Sequence, residues 1–447
     1  MKIAKRSIVV LLIFVALSFS LFAGGASESS NATGKRTLKV QLIGDDYQVQ
    51  DSTDALTGEK TLGFHYLKEA FEELHPDVNV EFIIMGWDSY TEKTIVMAQA
   101  GECDVLQVPG IATLAAQGLL EPLSPYIEQN AFDLDQYIDG QVNGWKALGP
   151  NDTELQVYGL PFIGDSRFIS YDKQLFDDFG VEYLSERPTI EEIEEKAAKL
   201  TGINPKTGEM CYGLRFKGGS YLADTAMNIS EGLGNIWGTG FAWSDMIVNF
   251  NTPEMVEAVT WMKRNMEAYS PAGMVSRQGD EKRYTPNNNL AIDLNDDPSS
   301  FPKIEALGWK DRIGICYPFT NPTYGMGGMF AGSPVAICVN SEVKDLAWEW
   351  LAFTASATLQ NYFWDQYRSI PVIESALESE SINSFPQVVA GLNAMSVLWT
   401  PRYPYRSSQP RTIFSRQVER ALLGEQTVQE ALDQAQRETT AWLKEQQ

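Results

Sequence analysis

The residues that could carry out chemistry are few, and they form no recognised catalytic arrangement. The chain has two histidines, His65 and His75, and the surrounding pattern places them at a helix start and a helix end. We interpret both as structural, because no nucleophile elbow, zinc-ligand pair or phosphate-binding loop accompanies them. Asp296 and Asp297 are adjacent carboxylates, and glycoside hydrolysis uses carboxylates in pairs, but Pro298 favours a solvated turn at this point. The sequence therefore gives no positive indication of an enzyme, a metal site or a cofactor.

Aromatic side chains are more numerous than the cores of such a chain require. There are eleven tryptophans and eighteen tyrosines, and several of them stand in loops rich in glycine and proline. Aromatic faces pack on the C–H faces of sugars, while carboxylates, amides and guanidinium groups hydrogen-bond hydroxyls. We interpret any single aromatic as a core or rim residue, and the set as the lining of a cleft for a polar ligand. The loop aromatics are Trp87, Tyr221, Trp237, Tyr324, Trp399, Tyr403 and Tyr405.

Two opposite charges interrupt the extended segment Tyr158–Lys173. Apolar residues alternate on both sides of the tip that carries Asp165 and Arg167, which is typical of strands. Charges in such a segment cost free energy unless they are paired or face a cleft. From these residues alone, a surface hairpin with a solvated tip is an equal alternative.

Length and charge exclude several functional classes. A chain of 447 residues predicts two or more domains. Its 59 acidic and 35 basic residues give a net charge of −24, which argues against binding to nucleic acid or to an anionic membrane surface. Neutral and cationic ligands stay open.

The N-terminus has the pattern of an export signal. Residues 1–23 combine Lys2, Lys5 and Arg6 with an apolar run and small residues for cleavage, and residues 24–36 are typical of a flexible leader. No cysteine lies near the cleavage site, so we expect a soluble periplasmic product without a lipid anchor.

The cysteines have no metal-like spacing. Export permits disulfides between them, but their strand-like neighbours make buried free thiols an equal alternative. The four are Cys103, Cys211, Cys316 and Cys338.

Strand and helix patterns alternate along the chain and predict parallel sheets covered by helices. Ligands of such sheets bind beyond the carboxyl ends of the strands. The pattern restarts after the charged segment, and two crossing strands, Tyr158–Tyr171 and Ser333–Val339, are expected to join the blocks. Capping boxes are predicted where Thr189 precedes Glu192 and where Thr427 precedes Glu430. The first strands end at Asp45, Asp46, Trp87 and Gln107.

Four blocks of the sequence, in this order, resemble the extracellular solute-binding proteins of carbohydrate ABC importers. The resemblance covers nearly all of residues 37–445. It implies an α/β protein of two lobes, type II-like, each lobe a mostly parallel sheet flanked by helices, with hinge strands between them. Sugar would bind between the lobes, and the closed form would dock on a membrane permease driven by an ATPase. The blocks are residues 64–127 (FHYLKEAF…LSPYI), 158–201 (YGLPFIGDSRF…AAKLT), 327–363 (GGMFAGSPVAI…LQNYF) and 424–443 (GEQTVQEALDQ…TTAWL).

The resemblance also suggests lobe boundaries and ligand contacts. The first lobe is expected at 37–160 and 334–378, and the second at 161–333 and 379–447. With the maltose-binding member of the family as guide, Asp45 and Asp165 fall on acidic sugar contacts, Ser220 and Tyr221 lie beside a carboxylate and a tyrosine that bind sugar, and Arg411 lies near a stacking tryptophan. The candidate ligand-binding residues are Asp45, Asp46, Trp87, Gln107, Asp165, Arg167, Tyr221, Trp237, Asp297, Trp399, Arg402 and Arg411.

The chain departs from that guide at two places. Pro109-Gly110 stands where the guide has an acid–arginine pair, and Pro298 stands where it has a stacking tryptophan. These departures argue against maltose itself, and Trp399 and Arg402 are candidates to replace the lost contacts.

The sequence thus predicts a monomeric periplasmic binding protein for a carbohydrate or polyol, which delivers its ligand to an ABC permease and performs no chemistry. A secreted carbohydrate-active enzyme and a binding protein for a polyamine or peptide are the alternatives. No nucleic-acid partner and no cofactor are expected.

Overall fold

The computed structural model describes residues 34–53, 60–88, 90–138, 141–235, 237–239, 246–276, 278–279, 282–319, 330–385 and 409–445. The strands are β1 Arg36–Ile43, β2 Ser52–Thr53, β3 Lys60–Thr61, β4 Val78–Met85, β5 Val105–Gln107, β6 Lys146–Ala147, β7 Gln156–Val157, β8 Leu160–Ser166, β9 Phe168–Asp172, β10 Gly202–Ile203, β11 Met210–Arg215, β12 Gly238–Thr239, β13 Ile247–Val248, β14 Leu290–Asp296, β15 Ile313–Cys316 and β16 Phe330–Ile337. The helices are α1 His65–Leu74, α2 Tyr90–Ala100, α3 Ile111–Ala116, α4 Ser124–Gln129, α5 Lys173–Phe179, α6 Ile190–Leu200, α7 Tyr221–Gly232, α8 Pro253–Tyr269, α9 Phe301–Ala306, α10 Lys344–Thr354, α11 Ala357–Tyr367, α12 Glu380–Asn383, α13 Gln409–Leu422 and α14 Val428–Glu445. Four short 3-10 helices lie at Val142–Trp145, Met274–Ser276, Pro298–Ser300 and Glu374–Glu378.

The first five-stranded sheet has the order β4-β1-β5-β16-β8. Strand β1 is parallel to β4 and β5, and β16 is antiparallel to β5 and β8. One face of β1 carries Leu38, Val40 and Leu42 into a core that includes Phe71 of α1 and Trp350 of α10. Alternation of apolar residues along β1 is the sequence cause of this packing.

The second five-stranded sheet has the order β10-β11-β14-β9-β15. Only β11 and β14 are parallel, and the other pairs are antiparallel. Its core contains the apolar stripe of α6, with Ile193, Ala197 and Leu200 fully buried, and extends to Val418 of α13 and Leu432 of α14.

The two-lobed α/β architecture is confirmed, but the expectation of mostly parallel sheets is wrong. Strands β8 and β9 are consecutive in the chain and belong to different sheets. Strands β9 and β16, which lead from one sheet into the other, are antiparallel to their neighbours. Each enters its sheet from the end that faces the other sheet. Sheets that share crossing strands in this way are mixed.

Strands β8 and β16 both belong to the first sheet. Strand β8 extends past residue 160 and β16 begins before residue 334, so both cross the lobe boundaries expected from the sequence, whose exact positions stay a prediction. Strand β16 contains Pro334, which is accommodated at a register shift after Ser333, where its missing N–H does not interrupt the ladder.

One of the two predicted capping boxes forms. Thr427 and Glu430 bond reciprocally, each side chain accepting from the other's backbone N–H. Thr189 also caps its helix, but the carboxylate of Glu192 accepts hydrogen bonds from Ser185 instead. The prediction that Glu192 completes a capping box is wrong, because its carboxylate bonds the N–H and hydroxyl of Ser185, which lies outside the helix.

Packing of α6 on β11 leaves no space for a side chain at Gly213. A Cβ at this position would lie 2.2 Å from the carbonyl oxygen of Ala197. We therefore expect Gly213→Ala to lower the free energy of unfolding by about 1–3 kcal/mol through overpacking. Urea unfolding followed by circular dichroism measures it. Met210→Ala, a half-exposed position on the same strand, is the control and should change stability by less than about 0.5 kcal/mol. Equal effects of the two substitutions would contradict this packing.

Candidate functional site

The carboxyl ends of strands from both sheets meet at the crossing point. Strand β8 is antiparallel to β16, which is antiparallel to β5, so β8 ends at the same edge as β1, β4 and β5. In the second sheet, Asp296 at the end of β14 pairs with Phe168 at the start of β9, and β11 is parallel to β14. The segments that follow β1, β4, β5, β8, β11 and β14 therefore converge at the crossing. Ligands of α/β sheets bind at such carboxyl ends of strands.

The first-lobe face of this region is formed after β1 and β4. Asp45 is exposed, and its Oδ1 accepts a hydrogen bond from the backbone N–H of Trp87 at 3.1 Å. A Cβ on Gly86 would lie 2.6 Å from that same oxygen, so glycine permits this close approach. The indole of Trp87 is 40% exposed and meets the ring of Tyr90 edge-on at 5.4 Å. Asp46 is exposed beside Asp45, so this face presents carboxylates and one open aromatic surface.

Gln107 stands at the end of β5 but is fully buried. Its Oε1 accepts from the backbone N–H of Ile43 at 2.8 Å, which fixes the end of β1 against β5. The Nε2 group has no hydrogen-bond acceptor among the described residues. Gln107 thus positions the loop of Asp45, and its contact with a ligand stays a prediction.

Asp165 lies near the end of β8, and Arg167 is the single residue between β8 and β9, which link the two sheets. The Nη1 group of Arg167 donates to both carboxylate oxygens of Asp165, each at 2.7 Å. The Arg167 side chain is only 5% exposed, while that of Asp165 is 28% exposed. Burial opposes the charge of Arg167, but Asp165 and Asp297 raise its pKa further above the usual value. The charges that the sequence flagged are therefore paired, and Asp165 is still accessible to a ligand.

Lys217, Tyr221 and Asp297 continue this face into the second lobe. Lys217 forms an ion pair with Asp297 and its Nζ lies 4.0 Å from the centre of the Tyr221 ring. The guanidinium carbon of Arg167 lies 5.7 Å from the same ring. Burial would raise the pKa of Asp297, but Lys217 and Arg167 outweigh it and hold that pKa well below its usual range. An aromatic ring is thus held between two cations whose charges are matched by Asp165 and Asp297.

The first turn of α7 adds a third charge pair. Ser220 precedes the helix and Asp224 lies one turn on. Arg411 of α13 donates to Asp224 at 3.1 Å and reaches the hydroxyl of Ser220 at 3.5 Å. The structure thereby brings Arg411 to the start of the helix that Tyr221 opens, and its contact with a ligand stays a prediction.

A buried polar network supports the end of β14. Arg283 pairs with Asp293 and with Asp296, and Arg215 bonds Asp293 at 2.9 Å. The hydroxyl of Tyr284 donates to Asp296 at 2.5 Å, and burial together with Asp296 raises the pKa of Tyr284 well above its usual value. These contacts fix the strand end that carries Asp297, because moving it would expose unpaired charges to an apolar core.

Two sequence interpretations change at this point. Asp296 and Asp297 are buried, so the interpretation as a solvated turn is wrong; neighbouring cations allow the burial. Trp237 is 2% exposed and stacks with Phe250 in the second-lobe core, which is a core position and not the ligand-binding position expected. Trp399 and Arg402 lie outside the described residues. Among the parts of the chain that are described, no cluster of side chains could hold a metal ion.

Lys217 was missed from the sequence. It follows the end of β11, so the rule that selected Asp45 and Trp87 from the first lobe also identifies it when applied to the second sheet. Its partner Asp297 was selected, but their proximity depends on the pairing of β11 with β14.

Two lobes joined by crossing strands, with polar and aromatic residues converging at the crossing, define a clamp-type ligand-binding protein. The chain belongs to the bacterial extracellular solute-binding protein family, whose sequence model matches residues 57–361. A binding protein of Brucella abortus is 22% identical over 315 residues, which is 69% of this chain and 72% of that protein.

Solved structures share the fold over almost the whole chain. The maltose-bound MalE3 of T. maritima superposes with a TM-score of 0.72 at 19% identity and covers 91% of this chain and 99% of its own. A solute-binding protein of Thermotoga lettingae with bound alpha-D-tagatose gives 0.70 at 20% identity, with 91% and 99% covered.

Two tryptophans with opposite burial provide a test of the site. We expect Trp87→Ala to weaken ligand binding about tenfold, because its open face is lost as a stacking surface, and to change the melting temperature little. Trp237→Ala should instead cost roughly 3–5 kcal/mol of folding stability. Titration calorimetry and thermal unfolding on both variants measure the two effects. Loss of stability at both positions with unchanged affinity would remove Trp87 from the site.

Proposed function

We propose that the protein binds a neutral carbohydrate or polyol between its lobes and delivers it to an ABC-transporter permease. The observation that carries the proposal is the polar face at the crossing, where Asp165 and Asp297 are each paired with a cation beside the ring of Tyr221. Arg167, Lys217 and Arg411 each have an acidic partner there. Such a face offers hydrogen bonds and an aromatic ring without a net charge for the ligand to neutralise, as a polyhydroxyl ligand requires.

Closure of the lobes is the work that the ligand performs. A ligand favours the closed state only by the contacts it makes there and not in the open state. Asp45 and Trp87 lie on the first lobe and Tyr221 and Asp297 on the second, so one ligand that touches both sets holds the clamp shut. The closed form would be the one that the permease recognises.

An exported, monomeric protein without catalysis fits the family and the N-terminal sequence. Relatives with bound maltose and tagatose support a sugar ligand. None of the helices that the structure describes is long and apolar enough to cross a membrane. We propose the periplasm as its compartment, with the signal segment of residues 1–23 removed.

A cationic ligand such as a polyamine is the second candidate. It is favoured by Asp45 and Asp46, which are both exposed on the first-lobe face, and by the net charge of −24. The balanced second-lobe face speaks against it, because a cation would meet Arg167 and Lys217 near the acids.

A thermal-shift screen of the mature protein distinguishes these ligands. The panel holds mono-, di- and oligosaccharides, polyols, polyamines and short peptides. A ligand at 100 times its dissociation constant adds roughly 2.7 kcal/mol of stability, which raises the melting temperature measurably. We expect a sugar or polyol to bind. We also expect chromatography of that ligand after incubation to show no hydrolysis. Binding of polyamines alone would overturn the proposal, and released sugar products would indicate an enzyme.

Removing one first-lobe charge tests the site directly. We expect Asp45→Asn to weaken binding about fivefold, because a charge-assisted hydrogen bond of roughly 1.5–3 kcal/mol becomes a neutral one of about 0.5–1.5 kcal/mol. The amide oxygen can still accept from Trp87, so the fold should persist. Glu73→Gln, an exposed acid on α1, is the matched control and should leave the affinity unchanged. Calorimetry with the ligand found by the screen gives both values; a fall of the same size in the control would point to a long-range charge effect.

A further inference from the structure

Cys103 and Cys338 lie next to each other in the first lobe. Cys103 precedes β5 and Cys338 follows β16, and these strands are neighbours in the sheet. Their register pairs Val105 with Ile337, so the chain segments continue side by side beyond the strands. The backbone N–H of Cys338 donates to the carbonyl of Asp104 at 2.9 Å.

The two side chains lie in one buried cluster. Both residues are buried, at 1% and 0% exposure, and both belong to the same apolar core of the first lobe, together with Leu106 and Ala336. Cys338 also donates to the carbonyl of Ala98 at 3.5 Å. In the folded protein the neighbouring Cys103 lowers the pKa of Cys338 to about 7, while Cys338 and burial raise the pKa of Cys103 well above its usual value. The thiolate is the reactive form in disulfide exchange.

Hydrogen bonds fix the backbone on both sides of this thiol pair. The carboxylate of Asp104 accepts from the N–H of Lys39 at 2.8 Å and from the hydroxyl of Ser341 at 2.7 Å. Asn340 donates to Ala98 at 3.1 Å. The segments that carry the two sulfurs are thus held together independently of any bond between them.

The other two cysteines are not placed in this way. Cys211 is on β11 and Cys316 on β15, with β14 and β9 between them. Three strand spacings of about 4.8 Å put them roughly 14 Å apart, beyond the reach of about 7 Å between the Cα atoms of a disulfide. They are an internal control for chance pairing.

We propose that Cys103 and Cys338 form an intramolecular disulfide when the exported chain folds. The compartment of an extracellular solute-binding protein is oxidising and permits such a bond. The pair is buried in the folded protein, so the bond forms before β16 is fully enclosed. It would tie β16, which returns the chain from the second lobe, to β5 and so restrict the unfolded chain over all the residues between them.

The exchange needs an oxidant that carries its own disulfide, such as a thiol–disulfide oxidoreductase or oxidised glutathione. The thiolate of either cysteine attacks one oxidant sulfur, and the other oxidant sulfur leaves as a thiolate. The thiolate of the second cysteine then attacks the sulfur of the first in this mixed disulfide, and the remaining oxidant sulfur leaves. Two electrons pass to the oxidant, and the two cysteine protons end on its thiols.

Differential alkylation of the mature protein tests the bond. The protein is purified from an exporting bacterium without reductant, unfolded in the presence of iodoacetamide, and digested for mass spectrometry. We expect Cys211 and Cys316 to be alkylated and one peptide to join Cys103 to Cys338, with all four alkylated after reduction. Four alkylated cysteines in the unreduced protein, or a cross-link that involves Cys211 or Cys316, would overturn the proposal.

Thermal unfolding of serine variants gives a second, independent readout. Reduction should lower the melting temperature of the wild type and of Cys211→Ser by several degrees. It should leave Cys103→Ser, Cys338→Ser and the double variant unchanged. An equal response to reductant in the double variant would contradict the assignment. If the serine variants do not fold, refolding the reduced wild type with and without oxidised glutathione replaces them, and recovery of the cross-linked peptide only with the oxidant is the expected result.

Discussion

The architecture of the site depends on the buried guanidinium of Arg167 at the link between the sheets. A charge with 5% exposure is tolerated only if it is paired, and its partners come from different places. Asp165 lies near the end of strand β8 in the first sheet. Asp297 follows the end of β14 in the second sheet. The buried cation of Arg167 needs both carboxylates, and it thus holds the crossing segment against the second-lobe face. Removing Asp165 would disturb both the proposed ligand contact and this support, which is why Asp45 is the cleaner position for a test of binding.

The second lobe is held together behind that face by a layer of buried charge. Arg215, Arg283, Asp293 and Asp296 balance one another, and Ser170 of the crossing strand donates to Asp296 at 2.6 Å. A polar network of this kind loses far more when one member is removed than an apolar core does. Its stiffness is useful in a clamp, because the ligand contacts must keep their geometry while the lobes move as bodies.

Much of this could be predicted from the sequence, and the failures have physical causes. The alternation of strand and helix patterns predicted the α/β class, and the charges of Asp165 and Arg167 in an apolar segment required a partner or a cleft; the structure supplies the partner. Trp237 was predicted to line the cleft because its loop is rich in glycine, but loop composition does not report burial. Pairings such as that of Lys217 with Asp297 depend on strand order, which no local pattern contains. The sequence also could not show that Cys103 and Cys338 are neighbours, since they lie far apart in the chain and meet through one antiparallel register.

The junction between the lobes is itself a packed interface and not a free hinge. Phe168 at the start of the second-lobe strand β9 stacks on Phe301 at 5.6 Å, and Phe301 meets Trp364 of α11 edge-on at 6.4 Å. Arg368, directly after α11, donates to Glu305 of α9 at 2.5 Å. Helix α11 also contributes Phe363 to the first-lobe core, so these contacts join the two bodies across the crossing. Any opening or closing must preserve or exchange this aromatic and ionic contact. The free energy a ligand must supply is therefore set by the difference between the two arrangements of this junction, together with the contacts in the cleft.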